Sequence, residues 1–153
     1  MTERYFTLAH ANELVPRVQA TMHRLLQLHS HLRTTSRTLL EVGVRVTPET
    51  LAKEDEPDVE DPQLRLRVQQ ARGLYEAVRE AMAEIEALGA QVKDVERGLV
   101  DFPSLLEGQR EVLLCWKLGE PSITHYHETD TGFSGRKPIE GLNFADKPRV
   151  RAG

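Results

Sequence analysis

The chain is poor in the residues that mark several large classes of protein. Of its 153 residues, one is cysteine and 5% are aromatic. The single cysteine, Cys115, excludes an intrachain disulfide framework and favours a reducing compartment. No apolar run approaches membrane-spanning length, and the first residues are charged where a secretory signal needs an apolar stretch. We therefore expect a cytoplasmic protein without a membrane anchor.

The chain also lacks a strong charge of either sign. Its formal net charge is −4, which produces no overall field that would attract nucleic acid or an anionic membrane. The one basic stretch runs from Arg136 to Arg151, and we interpret this stretch as a solvated tail. The expected partners therefore include neither nucleic acid nor membrane.

Two helical patterns fill the first part of the chain. Beyond Thr7, a favourable N-cap residue, mainly apolar residues recur at alternating spacings of three and four as far as Val42. This predicts one long helix ending at Gly43, kinked at Pro16 or preceded there by a separate short helix, because proline cannot donate a backbone hydrogen bond. The same spacing from residue 64 to residue 85 predicts a second helix, which Gly89 ends.

The segment between the two helices has a different character. Residues 44–61 lose the apolar periodicity, and residues 54–61 alone carry six acidic side chains, which predicts a flexible acidic linker. Two amphipathic helices joined in this way are expected to form an antiparallel hairpin, because neither apolar stripe can be buried alone. Helices of this length leave apolar surface uncovered, so a homodimer is expected.

After Gly89 the apolar period changes to about two, which is typical of strands. We predict strands over 91–95, 99–102, 111–117 and 123–127, forming a small antiparallel β-meander with Trp116 facing the hairpin. The predicted fold class is α+β, a long antiparallel helical hairpin with a small C-terminal β-meander. The predicted organisation is a single domain, 1–153, with the hairpin over 8–89, the β-rich unit over 90–139 and a tail over 140–153.

The β-rich unit holds the candidate site residues. His125 and His127 lie two apart on one predicted strand, so both imidazoles point to the same side. Glu120, at the turn before this strand, and Asp101, near the end of another, are candidate carboxylate ligands. Two histidines and a carboxylate form a ligand set for a divalent metal such as zinc, iron or nickel. The alternative is that both imidazoles face solvent on an edge strand.

Two further residues have open interpretations. Cys115, a lone thiol between apolar residues of a predicted strand, is typical of packing, although it becomes a soft metal ligand if its face is shared with the histidines. Arg136, in the glycine-rich segment from Gly132, is a candidate ligand-binding residue for a carboxylate or phosphate. Its alternative role is an ion pair with Glu120 or Asp130.

Several of these motifs occur together in one family. The segments are Arg4–Leu8, Ala11–Pro16, Val92–Pro103, Leu114–Trp116, Gly119–Glu120, His127, Gly132–Phe133 and Gly135–Arg136. In this order, over nearly the whole chain, they resemble the prokaryotic family of domain of unknown function 2203. The resemblance implies no established activity, ligand or catalytic residue. It also implies that His127 is the family's own histidine, whereas an aromatic residue often stands in place of His125.

Two functional hypotheses follow from the residues. The first is a metal-binding protein or a metal-dependent enzyme, whose site is formed by His127, His125, Glu120 and Asp101, with Arg136 orienting an anionic group. The second is a noncatalytic scaffold or protein-interaction module, in which the helical hairpin binds a partner and the β-rich unit only covers its end.

Overall fold

A computed structural model describes residues 4–150, so the first three residues and the last three of the predicted tail lie outside the described range. The helices are α1 (Leu8–Glu41), α2 (Pro48–Leu51) and α3 (Pro62–Ala87). The strands are β1 (Gln91–Asp94), β2 (Leu99–Leu106), β3 (Arg110–Lys117), β4 (His125–Glu128), β5 (Lys137–Pro138) and β6 (Phe144–Ala145). The predicted α+β class is confirmed. None of the described helices combines the length and the apolar character that a membrane crossing requires.

The chain divides into two compact units. The first unit combines Met1–Met22 with Glu84–Gly153, and the second consists of His23–Ala83. The two long helices each contribute residues to both units. The organisation of the chain as a single domain stays a prediction.

Helix α1 is one continuous element. It begins at Leu8 after Thr7, whose Oγ1 accepts a hydrogen bond from the backbone N–H of His10 at 3.0 Å. Pro16 lies inside the helix with its ring exposed, so the predicted alternative of a separate short helix is wrong. The physical reason is that a single proline removes one backbone hydrogen bond, and the remaining bonds of a long helix persist on either side.

The second unit has its own apolar core. Leu39 of α1, Leu51 of α2, and Val68 and Ala71 of α3 are buried together. Partly buried apolar side chains pack around them: Leu32, Val44, Val46, Val59, Leu64 and Tyr75. The predicted hairpin therefore packs through its apolar stripes within this unit.

The linker between the helices differs from its prediction. Its middle forms α2, which begins with a capping box in which the side chains of Thr47 and Thr50 each accept a hydrogen bond from the other residue's backbone N–H. Leu51 at the end of α2 is buried in the core. The predicted linker included neither this helix nor its buried anchor, because the acidic residues that follow obscured the few apolar side chains. The flexibility of the linker stays a prediction.

The first unit contains an antiparallel sheet. The strands follow the order β1-β2-β3-β4-β5, and β6 pairs with β2. The predicted meander is present, and within the described residues it grows to six strands because β5 and β6 add to it. Strand β6 comes from the segment that was predicted as a tail.

Strand β2 also runs further than expected, through Pro103. The carbonyl oxygen of Pro103 accepts a hydrogen bond from the backbone N–H of Phe6 at 2.8 Å, on the side away from β3. In an antiparallel strand the nitrogen and oxygen of one residue face the same neighbour. The missing N–H of Pro103 therefore removes no bond to β3, and the strand continues.

The two faces of this sheet carry different side chains. Phe102 points to the face that packs on Phe6, at 5.4 Å between ring centroids, and Trp116 is fully buried with its Nε1 donating to the carbonyl of Glu120 at 2.9 Å. Because Trp116 lies opposite Val100 in register, strand alternation places these residues on one face. The opposite face is left for Asp101 and Cys115, which are also paired in register.

Gly89 and Gly119 provide a matched test of the packing around Phe6. Both have left-handed backbones, with φ of +96° and +100°. A Cβ on Gly89 would lie 3.0 Å from Cζ of the buried Phe6, whereas one on Gly119 would have open space. We expect Gly119→Ala to lower the free energy of unfolding by about 1 kcal/mol through backbone strain, and Gly89→Ala to lower it by more. Urea denaturation measures both, and equal losses would contradict the contact with Phe6.

Candidate metal centre

Three buried side chains meet on the second face of the sheet. Asp101 of β2 pairs in register with Cys115 of β3, and His127 of β4 pairs with the neighbouring Leu113. One ligand atom from each of Asp101, Cys115 and His127 lies within 4.8 Å of the other two, the one such group of three found among residues 4–150. Their exposed fractions are 2%, 1% and 4%, respectively.

The hydrogen bonds of His127 define its protonation. Its Nδ1 lies 2.8 Å from the backbone carbonyl oxygen of Glu128. Because a carbonyl only accepts, Nδ1 carries a hydrogen and donates it. Its Nε2 lies 2.9 Å from Oδ2 of Asp101, so one proton is shared between these two atoms. The pair is neutral overall, whether the proton resides on the imidazole or on the carboxyl group.

The buried surroundings also shift the pKa values of the two acids. Burial raises the pKa of Asp101 above its ordinary value, and the adjacent His127 offsets part of this rise. Burial, together with the charge of Asp101, raises the pKa of Cys115 to about 12. The thiol is therefore protonated at neutral pH and donates a hydrogen bond to Asp101. A thiol of this pKa is a poor nucleophile, which argues against cysteine-based catalysis in the metal-free protein.

A cavity of about 170 Å³ adjoins the three side chains. Its wall is completed by residues from β1, β2, β3 and the segment after β4: Lys93, Leu99, Leu113, Thr129, Thr131, Gly132 and Phe133. A small molecule in this cavity would lie against these three residues. The buried group therefore borders a space of small-molecule size.

The structure brings together two of the four predicted ligands and leaves two apart. Asp101 and His127 are hydrogen-bonded to each other. His125 instead has its Nδ1 2.8 Å from the hydroxyl oxygen of Thr124, and it is not part of the group of three. All four ligand assignments stay predictions, and the geometry favours the two residues that meet.

Glu120, the fourth predicted ligand, lies outside the group of three. Its carboxylate oxygens lie 3.3 Å and 3.1 Å from Nη2 of Arg136, and Oε1 also accepts a hydrogen bond from the backbone N–H of Lys117 at 2.7 Å. This is the ion pair that the sequence suggested as the alternative for Arg136. It explains why Glu120 does not face the buried group.

Cys115 was not one of the four predicted ligands, because the sequence left it between packing and metal ligation. The sequence did contain a signal, because strand alternation turns Cys115 away from the face of Trp116. What it could not reveal was the register, which sets Cys115 opposite both Asp101 and His125 on the neighbouring strands. Strand pairing is a long-range property that alternation within one strand does not determine.

Comparison with known proteins identifies one family. A family model described as "Uncharacterized conserved protein (DUF2203)" matches residues 4–139, which include every site residue named above. The resemblance found in the sequence is thereby confirmed. Neither the search of curated proteins nor that of solved structures gives a match.

The raised pKa of Cys115 predicts a specific pH dependence in protein stripped of metal by a chelator. Between the ordinary pKa of a cysteine thiol, 9.0, and the raised pKa of about 12, the folded state keeps the thiol proton while the unfolded state releases it. The free energy of unfolding should therefore fall as the pH rises through this window. Denaturant titrations of the wild type should show a steeper fall than those of Cys115→Ser, whose hydroxyl does not titrate there. Parallel profiles would contradict the burial of the thiol.

Proposed function

The chain belongs to the family described as uncharacterized conserved protein DUF2203, and from its site we propose that it is a metal-binding protein. The proposed centre consists of Asp101, Cys115 and His127. The observation that carries this proposal is the convergence of three different donor atoms, from three adjacent strands, in a buried position beside a cavity. A carboxylate, a thiolate and an imidazole together suit zinc, and they also accept iron(II) or nickel.

Charge balance supports a divalent ion. Loss of the thiol proton and of the proton shared by Asp101 and His127 leaves a charge of −2 on the three side chains, which a divalent cation neutralises. The buried site is then neutral both with and without metal, so neither state leaves an uncompensated charge away from water. Metal binding should release two protons, and it should therefore weaken as the pH falls.

The arrangement of the donors also supports the proposal. Ligand atoms around a tetrahedral zinc lie about 3 to 4 Å apart, so atoms already within 4.8 Å of one another need small adjustments. The bond from Nδ1 of His127 to the carbonyl of Glu128 fixes the ring with Nε2 toward the site, as outer contacts do for metal-binding histidines. Three protein ligands beside a cavity leave a fourth position for a water molecule or a substrate.

This open position favours a metal-dependent enzyme over a purely structural site. A metal ion held by these three residues would supply a Lewis acid that could activate water or polarise a substrate. The chain itself supplies the orientation of the ligands, the exclusion of bulk water by the buried strands and the small cavity in which a substrate lies against them. Arg136 is close enough for its charge to lower the pKa of Cys115, which supports its proposed role in orienting an anionic group.

Metal analysis tests the proposed centre directly. Protein purified without a histidine tag should contain or take up about one equivalent of zinc, iron or nickel, with an increase in melting temperature. Cobalt substitution should give the charge-transfer absorption of a thiolate ligand, and Cys115→Ser should abolish that absorption. Asp101→Asn and His127→Gln should each weaken binding by about a hundredfold or more.

Two variants serve as controls for this experiment. His125→Gln and Glu120→Gln change predicted ligands that lie outside the group of three, and they should retain the metal. If these variants lose the metal while Cys115→Ser retains it, the proposed ligand set is rejected. The set predicted from sequence spacing is then supported instead. A folded protein whose melting temperature ignores zinc, iron and nickel would reject the metal proposal.

A second candidate function, interaction through the helical hairpin, is favoured by the surface of the second unit. A groove of about 570 Å³ runs between apolar side chains that include Leu32, Leu51 and Tyr75. Three arginines also line it: Arg33, Arg37 and Arg45. Leu40, one of its lining residues, is 59% exposed, and Leu66 of the same unit is 60% exposed.

We propose a second copy of the chain as the partner at this surface. The same unit carries six acidic residues over 54–61, so the acidic segment of one copy complements the arginines of another. Such pairing would also cover the exposed apolar side chains. A homodimer formed in this way supports the scaffold hypothesis and is compatible with the metal centre. The cytoplasmic location and the absence of nucleic-acid partners stay predictions.

Analytical ultracentrifugation tests the dimer. Leu40→Asp and Leu66→Lys place charges on exposed positions, so they should weaken self-association by at least about tenfold while leaving the fold intact. Val150→Lys is the control, because Val150 is 94% exposed and lies in the other unit. A monomeric wild type, or equal effects of all three variants, would contradict the proposed interface.

A further inference from the structure

Phe133 stands at the centre of a cluster of positive charges. Its ring centroid lies 4.8 Å from the guanidinium carbon of Arg97, 4.7 Å from that of Arg136 and 5.5 Å from Nζ of Lys117. The three cations come from the β1–β2 turn, the end of β3 and the segment before β5. Residues remote in sequence are thus held around one aromatic ring.

The charges of this cluster are only partly neutralised. Arg136 forms an ion pair with Glu120 at 3.1 Å. In the described part of the chain, the side chains of Arg97 and Lys117 have no ion-pair partner. Attraction to the face of an aromatic ring offsets part of the repulsion between neighbouring cations, but it does not remove their net positive charge. A bound anion would neutralise this excess.

The cluster adjoins the proposed metal centre. Phe133 lines the same cavity as Asp101, Cys115 and His127, and Lys93, another cation, also lines it. Lys117 lies two residues beyond Cys115 on β3, so both side chains leave the same face of the strand. Arg97, Lys117 and Arg136 do not themselves line the cavity, so an anionic group held by them would lie beside it, with Phe133 as the residue common to both.

We propose that Arg97, Lys117 and Arg136 form an oxyanion subsite, with Phe133 as its aromatic wall. The group that it takes is a carboxylate or a phosphate, which the planar guanidinium groups can bind through paired hydrogen bonds. The assignment of this group to the substrate of the metal centre rests on the proposed function. The substrate class is then a small organic molecule that carries an oxyanion at one end and presents its reacting group in the cavity.

The test uses inorganic phosphate and benzoate as probes. Each is titrated into the full chain at constant ionic strength, and the amide resonances of residues 132–136 are followed by nuclear magnetic resonance. We expect saturable shifts whose dissociation constant increases by about fivefold in Arg97→Gln and in Lys117→Gln. Both side chains are exposed, so these variants should fold normally. Preference for phosphate or for benzoate tells which oxyanion the subsite takes.

Arg79→Gln is the matched control. Arg79 also lies over an aromatic ring, 5.9 Å from that of Tyr75, but it is a single cation in the other unit. Its removal should leave the dissociation constants unchanged. Shifts that do not saturate with either probe, or an equal loss of affinity in all three variants, would overturn the subsite.

Phe133→Leu tests the contribution of the aromatic ring to binding while the three cations are retained. We expect weaker binding of benzoate than in the wild type, because the flat face of the ring is lost, with a smaller effect on phosphate. The opposite order would overturn the role of the ring as a wall. The backbone amide spectrum of the variant reports that the fold is retained.

The titrations are carried out on chelator-treated protein and repeated after addition of zinc. Binding of a probe to the metal-free protein supports the subsite even if no metal binds, in which case only its link to a metal-bound substrate fails. Uptake of zinc without any response to phosphate or benzoate overturns the subsite and leaves the proposed metal centre standing. The two failures are therefore distinguishable.

Discussion

The buried pair formed by Asp101 and His127 imposes the constraint on which the site depends. Two ionisable groups this far from water are tolerated because they share one proton and remain neutral together. Cys115 adds a third ionisable group, kept protonated by the same burial. If these three positions served only the stability of the sheet, apolar side chains would serve better, because they carry no cost of desolvation. This departure from apolar packing is the reason for proposing a ligand at these positions.

Much of the fold could be predicted because its signals are local. The spacing of apolar residues defined both long helices, and the alternation after Gly89 defined four of the strands. The full length of β2 and the existence of β6 were not predicted, because both depend on contacts between distant parts of the chain. Pro103 continues β2 because its nitrogen faces Phe6, and β6 is a short strand whose pairing with β2 spans a large separation in sequence. Neither relation is visible before the sheet is assembled.

In the candidate site, too, local patterns could be read from the sequence and long-range contacts could not. Asp101 and His127 could be selected because histidine and carboxylate are ligand types placed on predicted strands, and the structure sets them 2.9 Å apart. The interpretation of Cys115 depended on which residues stand opposite it, so the sequence left it between packing and ligation. Glu120 fitted the spacing as well as Asp101 did, but its pairing with Arg136 depends on a loop conformation that spacing does not encode.

The edge of β2 that faces away from β3 has a consequence for how the chain is made. Three segments share this edge: β1, which precedes β2 in the chain, and two that are remote in sequence, Phe6 and β6 at Phe144–Ala145. During synthesis β6 is made after β2. Until then, part of the backbone of the apolar strand β2 has no hydrogen-bond partner on this edge. Completion of the edge needs contacts of β2 with Phe6 and with Phe144–Ala145, both far from it in sequence, and such contacts are slow to form. The edge of β2 can therefore be fully paired only after residues 144–145 have been synthesised.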